Sequence, residues 1–464
     1  MLSRRDWLST TVRLGAAAAA APALTPLALR AQAQARSGAL VRRSQQPPDF
    51  ETPVDRLDSF ITPNDTFFVR SHMPVPTSID ASTWTLSVGG SVNTPLSLSL
   101  AELKRLPSTT VTMTLECAGN GRAFFEPAVA GIQWRKGAVG TARWTGVRLA
   151  DLLARAGVKP SAKVLATTSA DRPMGTQPAF VRQVPLDKAL HPDTLIAWQM
   201  NGVDIPVDHG FPLRLVVPGW EGAYSVKWLT GLTALDQDSD SFWVAGTYRY
   251  PTRTVAPGEA VDAKDMAPLT GLVVKSLITS PTDGAAVRPG PVTVAGFAWA
   301  GEADIAKVDI SLDNGASWHE ARLVGEQARF TWRRFEYRTT LTGAGPHTIL
   351  SRATDSRGNV QPQVARWNPN GYLWNQVDAI TVGTTPAQTT TAAAPGPITP
   401  DAGGAGTYSR ACTSCHSTDL VDQQRLSKTR WTREVEKMMR WGAPVPEAEK
   451  EGLVDFLLQR LAKR

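Results

Sequence analysis

The chain has 464 residues, 42% of them hydrophobic and 20% charged, and a formal net charge of +7. That composition excludes a disordered or fibrous chain, and the length suffices for about two to four domains with real cores. The charge argues against a nucleic-acid binder: residues 1–35 hold four arginines against one aspartate, and the remainder shows no basic stripe interleaved with aromatics.

The N-terminus reads as an address. MLSRRDWLSTTVRLGAAAAAAPALTPLALRAQAQA has a basic start, an Ala/Leu stretch and a small-residue end suited to cleavage near Ala35. Arg4-Arg5 within SRRDWL resembles a twin-arginine export signal, with Trp7 where phenylalanine is more usual. The alternative is an ordinary secretory signal. The twin-arginine route carries folded proteins, which suits a protein that takes up a cofactor before export, and the expected location is the periplasm. After residue 35 no apolar run is long enough to span a bilayer.

Residues 36–265 mix short strands, helices and many Gly/Pro turns, the pattern of an α+β domain. Here lies Cys117, in LECAGNGR. An unpaired thiol in an oxidising compartment is either a buried, inert side chain or a soft ligand for a transition metal. Arg122 follows five residues on, and Arg70 and His72 lie in FFVRSHMPVP.

Residues 266–383 read as short β runs divided by turn signals. VTVAGFAWA (292–300) is one run; in VDISLDNGASWHEARL (308–323) alternating Val308, Ile310 and Leu312 lead into an Asn314-Gly315 hairpin turn. Asp355 and Gly358 are expected to bound another hairpin. Strands at this spacing predict an immunoglobulin-like β-sandwich. The fifteen tryptophans of the chain are expected mainly in cores and interfaces.

Residues 384–406, rich in Thr, Ala, Pro and Gly with one charge, read as a linker. A flexible chain of that length spans on the order of 25 Å. Residues 407–464 then carry Cys412-Thr-Ser-Cys415-His416, the C-x-x-C-H attachment signature of a c-type haem, with His416 as one axial ligand. A redox dithiol lacks its βαβ context here, and a zinc site lacks further Cys or His downstream. The second axial ligand must be Met438 or Met439, with Met438 preferred and its neighbour packing inward. In the final stretch Leu453, Leu457 and Leu461 fall on one helical face. This small all-α unit resembles a minimal class I cytochrome c domain.

FFVRSHMPVP, LECAGNGR, GAVGTARWTGVRLADLL and DHGFPLRLVVPGWEGAYSVKWL resemble, in order, the molybdopterin domain of the sulfite oxidase family. SPTDGAAV through DSRGNVQP resembles that family's immunoglobulin-like dimerisation domain, so the likeness covers about residues 50–383. The resemblance implies a molybdenum–molybdopterin cofactor with Cys117 as the protein thiolate on the metal. It implies that Arg70 and Arg122 bind the substrate anion and that Tyr248, or else Tyr250, is the active-site tyrosine. His72 falls near the pterin; His209, Arg214, Ser225 and Lys227 fall where the family holds the pterin and its phosphate. Gly121 departs from the arginine of many members, which would remove a positive charge beside the site and leave the oxyanion open.

The expectation is thus a homodimeric periplasmic sulfite dehydrogenase that passes electrons through its own haem c to an external cytochrome c. The alternatives are a sulfane dehydrogenase acting on carrier-bound sulfur and a non-enzymatic haem electron-transfer protein.

Overall fold

The computed structural model describes residues 40–384 and 404–461. The expected export signal and most of the expected linker lie outside the described residues.

The first domain is α+β and built on three sheets. A small antiparallel sheet joins Val41–Ser44, Asp49–Glu51 and Val69–Arg70. A second sheet centres on Val139–Arg148, flanked by Ser108–Glu116 and Leu195–Met200. In the third, Leu229–Leu235 runs parallel to Thr85–Gly90 and antiparallel to Val164–Ser169. Local chemistry sets the helices between them. Ser99 and Glu102 form a capping box that starts Leu100–Lys104. Helix Leu149–Ala156 buries Leu149, Leu152, Leu153 and Ala156 on one face and stops at left-handed Gly157.

The second domain is a β-sandwich. Seven strands follow the order Lys275–Ser280, Gly290–Trp299, Arg333–Leu341, His319–Val324, Ile305–Ser311, Pro346–Asp355 and Asp378–Gly383. The sheet folds over on itself, so its first strand meets the last two: Ser276 Oγ lies 2.9 Å from Ser351 Oγ, and Ile278 N–H donates to Asp378 at 2.8 Å. Asn314 and Gly315 both take positive φ, as the expected hairpin turn requires. The expected hairpin at Asp355–Gly358 shrinks to one bridge, Thr354 with Val360. Asp355 accepts from the backbone of Arg357 and Asn359, and the chain then leaves the sheet.

That departing segment returns to the first domain and packs Tyr372 into its core and Trp367 and Trp374 against Phe125 and Val129. A second link is deeper. The Glu116 carboxylate, one residue before Cys117, accepts from Lys275 Nζ at 2.9 Å, Trp299 Nε1 at 2.8 Å and Asn120 Nδ2 at 2.8 Å. Lys275 and Trp299 belong to the sandwich.

Residues 404–461 form four helices, Ala405–Ala411, Asp419–Asp422, Lys428–Arg440 and Lys450–Leu461, around a core that includes Tyr408, Trp431, Val435, Leu453, Leu457 and Leu461. This tail sits on the first domain.

Glu116 and Lys275 are almost fully buried, with 6% and 5% of their side chains exposed. Lys275→Met strands a buried carboxylate and is expected to cost about 3–5 kcal/mol. Denaturant unfolding should show the loss, and Glu116→Gln added to Lys275→Met should restore part of it.

Candidate active site

Cys117 stands on a turn at the end of strand Ser108–Glu116. Its N–H donates to Ala138 O at 2.9 Å, and Asn120 N–H returns to Cys117 O at 2.9 Å. Burial pushes the thiol up, while Arg70 and Arg122 pull it toward the thiolate. Among the described residues no group of three or more His, Cys, Asp or Glu comes together to chelate a metal. A metal on Cys117 would therefore take its other donors from a cofactor.

Two arginines flank the thiol. Arg70 ends the short strand Val69–Arg70 and pairs through Nη1 with Asp49 Oδ1 at 3.2 Å. Burial is the largest single influence and works against its charge, but Asp49 together with Tyr248 and Cys117 outweighs it and holds the arginine cationic. Arg122 opens a single 3-10 turn. Its Nη1 donates to Ile132 O at 3.0 Å and its Nε to Asn370 O at 3.3 Å, and the guanidinium lies over the Tyr372 ring. Three glycines make room for it: a Cβ on Gly119, Gly131 or Gly371 would come within 2.6, 2.8 or 2.9 Å of the Arg122 side chain. Gly121 does not share in this. A Cβ there would meet Trp374 at 2.7 Å, so the packing around position 121 is closed to a side chain.

His72 hydrogen-bonds the Tyr248 hydroxyl through Nε2. The imidazole is fixed by stacking on Phe180, with centroids 3.9 Å apart, and by the edge of Trp243. Burial, then Arg70, Lys227 and Arg182, depress its basicity and keep it neutral. Burial and neighbouring Tyr372 keep Tyr248 a neutral phenol. Tyr248 has φ +52, a strained setting for an aromatic residue, and its ring is clamped between Tyr372 and Arg182. Tyr250 is elsewhere, on a strand edge beside Arg366.

A narrow slot runs inward from these groups, lined by His209, Arg214, Ser225 and Lys227 among others. Arg214 donates to the carbonyls of Ser225 and His209; burial pushes it down to about 9. Lys227 donates to Ser71 Oγ at 2.7 Å and Asp208 O at 2.9 Å; burial, then Arg214, push it down to about 7. Two crowded cations that donate to carbonyl and hydroxyl oxygens fit a ligand phosphate.

Arg70, His72, Cys117 and Tyr248 also line a larger cleft that continues to the tail, where Cys412, Cys415, His416 and Met438 form its far wall. His416 Nδ1 lies 3.2 Å from Ser417 O, which leaves Nε2 for the cleft. Met439 packs in the tail core instead. Trp441 closes the side, tilted against Trp243 at 6.4 Å.

Sequence reasoning missed Asp49, the buried Arg182–Glu221 pair, Tyr372 and the glycine cradle. Only the glycines left a signal, in the repeated small residues around Arg122.

Residues 72–243 match the oxidoreductase molybdopterin binding domain, and residues 267–383 match the Mo-co oxidoreductase dimerisation domain. The sulfite oxidase of Arabidopsis thaliana is 32% identical over 372 residues, 74% of this chain and 94% of that protein. The chain belongs to the sulfite oxidase family. It is an oxidoreductase of the molybdopterin type. Mitochondrial sulfite oxidase of Homo sapiens is 40% identical over 357 residues, 73% of this chain and 65% of that protein, so the chain spans about two thirds of its length. The crystal structure of the sulfane dehydrogenase SoxCD from Paracoccus pantotrophus aligns with a TM-score of 0.65 and 32% identity, over 74% of this chain and 86% of that one. Both domain matches of this sulfite oxidase family member end before residue 404.

The depressed Lys227 sets a pH signature. Between about pH 7, its value here, and 10.5, its ordinary value, the unfolded chain binds the extra proton, so stability rises with pH. Thermal unfolding of cofactor-free protein should show this rise across the alkaline range, and Lys227→Met should flatten it.

Proposed function

We propose that this chain is a periplasmic sulfite dehydrogenase that oxidises sulfite to sulfate and passes the electrons through a covalent haem c to an external cytochrome c. The reading is carried by one cleft that has Arg70, His72, Cys117, Arg122 and Tyr248 on one wall and Cys412, Cys415, His416 and Met438 on the other. In this reading Cys117 holds molybdenum, His209, Arg214, Ser225 and Lys227 hold the pterin and its phosphate, and His416 and Met438 are the axial ligands of iron. The sandwich supports a homodimer, by the name of the domain it matches.

Bound molybdenum would supply oxygen-transfer chemistry, and the haem one-electron transfer. The chain does the rest. Sulfite is a dianion whose reactive electron pair is on sulfur. Arg70 and Arg122 present fixed guanidiniums to its oxygens by charge-assisted hydrogen bonds, which leaves the sulfur turned toward Cys117. Arg122 has spent Nε and Nη1 on carbonyls, so its remaining N–H groups are aimed by the cradle. The neutral Tyr248 hydroxyl orients a substrate oxygen while His72 holds that hydroxyl in place. Sulfite gains one oxygen from water and releases two electrons and two protons; His72, kept neutral, serves to hold the Tyr248 hydroxyl rather than to take a proton. Since a haem carries one electron, the module must discharge outward between two reductions, and a tethered, docked tail keeps it at high effective concentration.

A second reading, a sulfane dehydrogenase acting on carrier-bound sulfur, is favoured by the likeness to SoxCD. Steady-state assays with sulfite and with thiosulfate-loaded carrier separate the two. A haem-loaded but molybdenum-free exported protein would instead favour a plain electron carrier.

The deciding experiment mixes sulfite with the exported holoprotein and follows haem absorbance. Wild type should be reduced rapidly and Cys117→Ser not at all; persistent reduction in the variant would overturn the mechanism. The methionines give an independent check. Met438→Ala should lower the haem potential and change the ligation spectrum, whereas Met439→Ala should leave the spectrum intact and loosen the tail core.

A further inference from the structure

The loop Val129–Gln133 is gripped from both sides. On its inner side, Ile132 O accepts from Arg122 Nη1 at 3.0 Å, and Gly131 is bare because a Cβ would lie 2.8 Å from the same nitrogen. On its outer side the tail holds it through two consecutive glutamines. Gln423 Oε1 accepts from Gln133 N–H at 2.7 Å. Gln424 accepts from Gly131 N–H at 3.3 Å and donates back to Gly131 O at 2.8 Å. Both side chains are themselves braced, each donating to a carbonyl one turn back in the tail, Asp419 O and Leu420 O at 2.7 and 2.8 Å. Gln424 is buried, at 5% exposure. The tail also touches the body where no such loop is involved: Thr176 Oγ1 donates to Arg440 O at 2.9 Å.

We propose that Gln423 and Gln424 are positioning residues for Arg122, so that docking of the tail sets the substrate-binding arginine through the Val129–Gln133 loop. The proposal rests on the reading of Arg122 as an anion ligand. Three hydrogen bonds to the tail fix the backbone of residues 131 and 133, and the carbonyl between them directs the guanidinium. With the glutamines gone, the loop keeps Ala130 against the tail core and Arg430 on Ala128 O, but residues 131 and 133 lose their hydrogen bonds to the tail, and the left-handed Gly131 (φ +120) lets Ile132 O swing. The partner recognised at Arg122 is a sulfur oxyanion. An oxyanion held by Arg122 would in turn favour the docked tail, because coupling between two binding events is reciprocal.

The test uses the full-length holoprotein and sulfate, the product anion, as probe. In Gln423→Ala/Gln424→Ala the sulfate dissociation constant, read from sulfate-dependent thermal stabilisation, should rise about fivefold or more. With ferricyanide as external acceptor, the sulfite KM should rise by a similar factor while kcat is kept. In an Arg122→Ala background the glutamine substitutions should change sulfate affinity no further. Thr176→Val, which cuts a tail contact away from the loop, should leave sulfate affinity unchanged. Undiminished sulfate affinity in the glutamine variant, or a loss that simply adds to that of Arg122→Ala, would overturn the proposal. Should the double variant fail to fold, Gln423→Ala alone, judged by the same cycle, decides. Failure of the functional reading itself would look different: wild type would not turn over sulfite at all.

Discussion

The Glu116 carboxylate is the point on which the site hangs. It is buried at the end of a core strand, and its two oxygens take a lysine and an indole from the sandwich and an amide from the Cys117 turn. A buried charge pair tolerates only one geometry, because loss of any partner leaves desolvated charge behind. The turn that carries Cys117 is therefore locked to a second domain. The sandwich is also the source of Tyr372, which backs Tyr248, and of Asn370, which holds Arg122. Two domains build one site.

Charge is distributed unevenly around that site. Arg70 has a carboxylate partner in Asp49, and Arg182 has one in Glu221, a side chain that burial pushes up to about 7. Arg214 gives its donors to carbonyl oxygens, and Lys227 to a hydroxyl and a carbonyl with Asp208, Asp171 and Asp49 close enough to favour its charge; burial lowers both. Cationic side chains kept at such cost mark places where an anion is expected to bind. The neutral His72–Tyr248 pair sits among them and adds directed hydrogen bonds without adding charge.

The tail extends this construction outward. It shares the cleft with Cys117 rather than a separate face, and besides the grip of Gln423 and Gln424 some of its contacts with the body fall beside its own motif residues. Ser417, next to His416, accepts from the backbone of Gln45 at 3.1 Å, and Trp441, three residues after Met438, accepts at its carbonyl from Thr176 N–H at 3.1 Å. Latches that close to the motif hold its orientation toward the body more tightly than a distant anchor would.

Much of this was legible beforehand. The C-x-x-C-H run, the isolated Cys117 and the motifs around Arg70, Arg122 and Lys227 carry their chemistry in residue type and spacing, and alternation with Asn314-Gly315 marked a sandwich hairpin because backbone twist demands those residues. The adjacent methionines also announced opposite faces, since neighbours on a helix point about 100° apart. What spacing cannot convey is which distant side chains meet. The contact between Gly121 and Trp374 is one such meeting. Tyr248 and Tyr250 are equivalent on paper, and only the turn at φ +52 aims one of them inward. Lys275 with Glu116, Asn370 with Arg122 and Gln424 with Gly131 are separated by more than a hundred residues each, so their pairing is decided by packing of domains. The sequence by itself determined which chemical groups the protein owns; the tertiary structure decided which of them face one cleft, because burial and hydrogen bonding between domains act over distances in space that chain order does not encode.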